Sequence, residues 1–170
     1  MLSWQDSRIE ALSGSKSQEK YIFPIGDYGI GMSYKGADFV RIADFVKDRM
    51  AEEMQSQGVN LVNLNFSVNN YENQELLKKI ANQNNAKFIL LGNLLFYKWD
   101  CVKECYTRVT YEISLFDVKG KFLLDKQRFD HFDKSDTIWT EKIVKDISSI
   151  TLPAVLEKSI PKVISEINEK

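Results

Sequence analysis

The stretch that most constrains this chain is Phe88-Ile-Leu-Leu91, an unbroken apolar run that continues through Leu94, Leu95 and Phe96 toward Trp99. A strand open to water on one face alternates apolar and polar side chains, whereas a wholly apolar one is covered on both faces. The run therefore reads as the central strand of a layered α/β domain. It does not read as a membrane span, because Gly92 and Asn93 interrupt it and crossing a bilayer takes about 20 apolar residues. With 170 residues, 44% of them hydrophobic and 28% charged, the chain has the size and balance of a single folded domain.

Its neighbours follow from periodicity. Val109, Tyr111, Ile113 and Leu115 alternate with Thr110, Glu112 and Ser114, a half-buried strand. Asp117-Val-Lys-Gly120 is a turn signal, and residues 121–129 form the returning strand, where Lys126 and Arg128 share one side and protect an edge. Upstream, Tyr21-Ile-Phe-Pro-Ile25 reads as a strand, with Pro24 marking an end or a bulge. A glycine-rich loop follows, with Gly26, Gly29, Gly31 and Gly36. Phe39, Ile42, Val46, Met50 and Met54 then line one face of a helix that Gly58 is placed to cap. Val62, Leu64 and Phe66 suggest another half-buried strand over 59–66. Asn69 and Glu72 open a second helix whose buried face is Leu76, Leu77, Ile80 and Ala81, and Asn84-Asn85 end it. A final helix carries the stripe Trp139, Ile143, Ile147 and Ile150, and Pro153 and Pro161 are expected to break its C-terminal part into shorter segments.

The order is β-α-β-α-β-β-β-α. Right-handed crossovers and a closing meander give a five-stranded mixed sheet in the order 2-1-3-4-5 with helices on both faces. Residues 1–19, where only a few apolar side chains sit among Ser, Gly and charges, read as a flexible tail or spacer, and 20–170 as one α/β domain.

A catalytic set is sparse in these letters. The single histidine, His131, lies between Asp130 and Asp133 and is more simply a strand-end side chain than a general base. The loop Gly26-Asp-Tyr-Gly-Ile-Gly31 has the spacing G-x-x-G-x-G rather than the dinucleotide fingerprint, so a mobile connection outweighs phosphate binding. No cofactor and no metal is expected. A net charge of -1 argues against nucleic acid as a partner. Cys101 and Cys105, spaced C-x3-C, either join as a disulfide across a hairpin end in an oxidising compartment or remain free thiols. The aromatics Tyr97, Trp99 and Tyr106 around them, with Tyr28 in the glycine loop, are candidate partner-binding anchors. For Tyr97 and Trp99 the strand register decides between that role and packing over the end of the sheet.

Residues 21–160 resemble the N-terminal domain of TolB and the related domain of small bacterial envelope lipoproteins, the LpoB and CsgG groups among them. The resemblance rests on Tyr21-Ile-Phe-Pro-Ile-Gly26, on Asp38 to Gly58 leading into Val59-Asn-Leu-Val, and on Ala86-Lys-Phe-Ile-Leu-Leu-Gly-Asn-Leu94. The hairpin Tyr111-Glu-Ile-Ser-Leu-Phe-Asp-Val-Lys-Gly-Lys-Phe-Leu123 completes it. It implies a non-enzymatic adaptor, activator or assembly domain with a protein partner in the periplasm, anchored to the outer membrane only through a lipid. The first twenty residues do not read as a signal peptide, so the expectation is either a trimmed leader or a cytoplasmic protein. The alternatives are a small-molecule or nucleotide-binding enzyme using the Gly26–Gly36 loop, and a self-assembling structural subunit.

Overall fold

The computed structural model describes residues 2–8, 22–25, 28–31, 42–62, 74–101, 104–135, 142 and 145–169. The apolar run begins the long strand β4, Phe88–Cys101, which follows β1 (Leu2–Asp6), β2 (Ile22–Ile25) and β3 (Tyr28–Gly31) in the chain. β5 (Cys105–Asp117) and β6 (Phe122–Ser135) complete a six-stranded mixed sheet. β5 and β6 form an antiparallel meander on one side of β4. Along the other side β1 and β2 run parallel to β4 one after the other, β1 beside residues 90–94 and β2 meeting it at Ile25 and Trp99. β3 pairs antiparallel with β2. Among the described residues the helices are α1 (Ile42–Ser56), α2 (Gln74–Gln83) and α3 (Leu152–Asn168), the last entered through a π-helical turn at Ile147–Thr151.

Adjacent residues of β4 point to opposite sides, and each side has its own core. Leu90 and Leu94 join the larger cluster, built with Ile42, Val46, Met50 and Met54 of α1 and Val155, Ile160 and Val163 of α3. Ile89 and Leu91 join Phe116 of β5 and Ala81 of α2 in a smaller one. The expected cover on both faces is thus present, and it explains why this strand has no polar alternation.

Local chemistry ends the elements where the sequence suggests. At the end of α1, Gly58 has φ 85°. There the Val59 N–H donates to the Met54 carbonyl at 3.1 Å and the Gly58 N–H to Gln55 at 3.0 Å, the Schellman pair that satisfies terminal carbonyls. α2 ends the same way on Asn85, with φ 51°, and with Ala86 N–H donating to Ala81 at 2.9 Å. In the β5–β6 turn the N–H groups of Lys119 and Lys121 donate to Asp117 Oδ1 at 2.8 and 2.9 Å. The Lys121 N–H leads the interactions that hold the Asp117 carboxyl below its ordinary range.

Several expectations are corrected. The tail expected over 1–19 begins instead with β1. Leu2 is fully buried and Trp4 is 3% exposed, and Arg8 makes a buried two-point ion pair with Asp6 at 2.9 and 2.7 Å. The signal was missed because β1 is only 5 residues long and both its faces are shielded, so Ser3 and Asp6 are buried with the apolar residues and alternation is lost. Residues 9–21 lie outside the described residues. Among the described residues the sheet has six strands, not five, and the order 2-1-3-4-5 gives way to β3-β2-β4-β5-β6 with β1 also on β4. Part of the glycine loop is strand β3. Residues 59–62 of the expected 59–66 strand are irregular, with the Leu2 N–H donating to the Val62 carbonyl at 3.0 Å. The remainder, like Asn69, Glu72, Phe39, Trp139 and Ile143, falls outside the described residues. Leu76 and Ile150 are exposed rather than buried. Pro153 and Pro161 do not break the last helix. Pro153 sits in its first turn, where no partner for its missing N–H is needed. Pro161 is exposed between the buried Ile160 and Val163, whose packing holds the helix through it.

Candidate partner-binding face

A single extra residue decides what the far end of β4 presents. The β4–β5 register runs Leu94 to Tyr111 and then Phe96 to Thr110, so Leu95 is a bulge. Because side chains alternate, one inserted residue reverses the sides of everything beyond it. Tyr97 and Trp99, which would otherwise continue the side of Leu91 and Asn93, turn into the larger core at 0% and 9% exposure. Phe96 and Lys98 take the opposite face, opposite Thr110 and Arg108.

That face carries a connected group. Arg108 donates through Nε and a terminal nitrogen to both Asp130 oxygens at 2.9 and 3.0 Å, and Thr110 Oγ1 donates to the same carboxylate. Burial pushes the Asp130 carboxyl up, but the hydrogen bonds from Arg108 and Thr110 and the charges of Arg108 and Arg128 outweigh it and leave the group below the usual range. The hydrogen bond to Asp130 correspondingly raises Arg108. The Arg108 guanidinium also lies 4.8 Å from the centre of the Phe96 ring, a cation–π contact. Phe132, opposite Arg108 on β6, is 64% exposed. Tyr106, Arg108, Asp130, Phe132 and Lys134 line a cleft of about 330 Å³ next to Cys105. A planar guanidinium locked by a carboxylate beside an exposed ring is a rigid, amphipathic surface suited to a protein partner.

Of the residues singled out in the sequence, only Tyr106 lines this cleft as a half-buried anchor. Tyr97 and Trp99 are core and are withdrawn as anchors, for the register reason above. Tyr28 lies on β3 opposite Ile25, away from the others in the strand order. Cys105 is disulfide-bonded and stands directly opposite Cys101, the only other cysteine, at the closed end of the β4–β5 hairpin. Arg108, Phe96 and Phe132 were missed, since nothing in the linear order of the residues announces that they are cross-strand neighbours.

His131 points to the helical side. Lys158 Nζ lies 2.9 Å from its Nδ1, and its Nε2 is 3.2 Å from Asp133 Oδ1. Asp130, its other flanking acid, is on the opposite face with Arg108, so the two acids do not converge on the imidazole. Among the described residues no group of His, Cys, Asp and Glu is placed to hold a metal ion. No helix among them is long and apolar enough to cross a membrane. Within the glycine segment Tyr28–Gly31 is a strand paired to β2, and Gly26 and Gly36 lie outside the described residues.

No protein-family model matches the chain, and no curated protein matches it by sequence. The fold itself is shared. The crystal structure of protein XCC0632 from Xanthomonas campestris, family-model DUF330, is similar with a TM-score of 0.65 at 11% identity over 99% of this chain and 85% of that one. An uncharacterized protein gives 0.50 at 9% identity over 96% and 90%. Lipoprotein GNA1162 from Neisseria meningitidis gives 0.37 at 13% identity over 70% and 69%, too low to build on. At these identities the first two likenesses speak for fold alone.

Proposed function

We propose that this chain is a non-enzymatic binding domain of the bacterial cell envelope, docking a protein partner on the sheet face that carries Phe96, Tyr106, Arg108 and Phe132. The observation that carries the reading is the disulfide at Cys105 beside an arginine–aromatic cleft. Structural disulfides persist in oxidising compartments such as the periplasm, and Arg and Tyr dominate the energetic centres of protein interfaces. The resemblance of the Ala86–Leu94 and Tyr111–Leu123 segments to TolB-like envelope domains supports an adaptor or assembly role, with any outer-membrane tether supplied by lipid outside these residues.

The test combines location and contact. Alkylation of the native protein in intact cells, without reductant, should leave both cysteines unmodified, and free thiols would count against an oxidising compartment. Affinity capture from envelope extracts should return a partner with the wild-type chain and lose it with Phe132→Ala, whose exposed ring leaves the fold intact. Equal capture by both proteins would move the interface elsewhere.

A further inference from the structure

A second concavity lies on the same sheet face, toward its other end, and its chemistry is unlike the first. It has a volume of about 250 Å³. Its apolar walls are Leu91 and the rings of Phe116 and Phe122, which stand 5.5 Å apart at 50°. Phe122 is 43% exposed, so one wall of the cavity is open to solvent. Glu112 and Asn93, cross-strand neighbours, contribute its polar lining. Among the described residues Glu112 makes no hydrogen bond or ion pair, even though Arg128 is its register partner on β6. Asn93 Oδ1 is buried without a partner.

The backbone beside the cavity is also irregular. The β5–β6 register slips around Leu115, and Lys126 there has φ 46°, with its N–H donating to Ser114 Oγ at 3.1 Å. A non-glycine residue in the left-handed region is a strained position that persists only when its surroundings require it. Lys126 and Asp125 line the cavity together and cancel in charge, and Glu112 beside them is held in no ion pair among the described residues.

We propose that this cavity receives an arginine side chain of a partner polypeptide. A guanidinium supplies the donors that Glu112 and Asn93 lack. Its planar face stacks on the exposed Phe122 ring, and its hydrocarbon stem lies against the apolar floor that Leu91 and Phe116 provide. An anion would meet the unpaired carboxylate, and a purely apolar group would bury it without a partner. The site does not depend on where in the cell the chain works.

Amide NMR spectra of the isotopically labelled chain test this directly. Titration with N-acetyl-arginine methylamide should shift the signals of Asn93, Glu112 and Lys126. The norleucine derivative, which keeps the aliphatic stem and lacks the guanidinium, should leave them in place. Glu112→Gln should weaken the arginine compound by about tenfold or more, the loss of one charge-assisted contact. Its circular dichroism should be unchanged, since Glu112 has no partner to lose. Phe122→Ala, which removes the open wall, should weaken binding independently. The proposal fails if no signal moves, if norleucine binds as well, or if Glu112→Gln binds as tightly as wild type. Binding of butylguanidine with exclusion of the capped arginine would overturn the polypeptide origin of the cation.

Discussion

Trp4 gives the sharpest test of this fold, because the sequence places it in a tail and the structure places it in the core. Its indole lies over Gly92, where an added Cβ would come within 2.2 Å of the ring, and it meets Tyr111 edge-on at 5.3 Å. Removing a buried tryptophan costs about 3–5 kcal/mol through lost contacts and the void left behind. Against this, Trp4 Nε1 is buried without an acceptor, and deleting an unsatisfied donor returns about 1–3 kcal/mol. The void wins, and Trp4→Ala should cost about 2–3 kcal/mol net. With a urea dependence of about 2 kcal/mol per molar, the unfolding midpoint should fall by roughly 1–1.5 M. Far-ultraviolet circular dichroism is the proper readout, since the substitution alters fluorescence directly. Gly92→Ala supplies the internal control. Alone it forces the indole aside and should cost about 1–3 kcal/mol. With Trp4 already replaced by alanine the same methyl enters free space, and its cost should drop below about 0.5 kcal/mol. A Trp4→Ala change within about 0.5 kcal/mol of wild type, as for an exposed tail, or strictly additive costs in the double variant, would refute the placement of β1.

Three further outcomes follow from other parts of the structure. Reducing the disulfide at Cys105, which closes a short hairpin end, should destabilise the chain by about 2 kcal/mol on loop-entropy grounds and lower Tm by roughly 4–8 °C; an unchanged calorimetric transition would contradict it. Arg8→Ala removes a buried two-point ion pair from Asp6, 5% exposed, and should cost about 3–5 kcal/mol in urea unfolding, whereas a surface pair would cost under about 1 kcal/mol. For Asp130 burial opposes ionisation, and the Arg108 and Thr110 hydrogen bonds overcome it, so the folded carboxyl is lowered. A lowered folded value means that stabilisation is complete above the unfolded value of about 3.9 and disappears as pH falls through the folded value. The urea-midpoint difference between wild type and Asp130→Asn should therefore shrink on acidification from about pH 6 to about pH 3, and a gap that widens would reverse the sign of this linkage.

The sequence by itself determined what depends on neighbours along the chain. The double-sided apolar run at Phe88–Leu91, the helix stripe from Ile42 to Met54, the left-handed caps at Gly58 and Asn85 and the Asp117–Gly120 turn are all set by side-chain periodicity or by backbone conformations that few residues adopt. Only the tertiary structure decided what depends on register between distant strands. The bulge at Leu95 turned Tyr97 and Trp99 inward, the β5–β6 pairing brought Asp130 to Arg108, and β4 recruited Leu2–Asp6 as its parallel neighbour. In each case the physical reason is the same. A one-residue shift in pairing exchanges the two faces of a strand, and the energy that chooses among registers comes from the whole core rather than from any local run of residues.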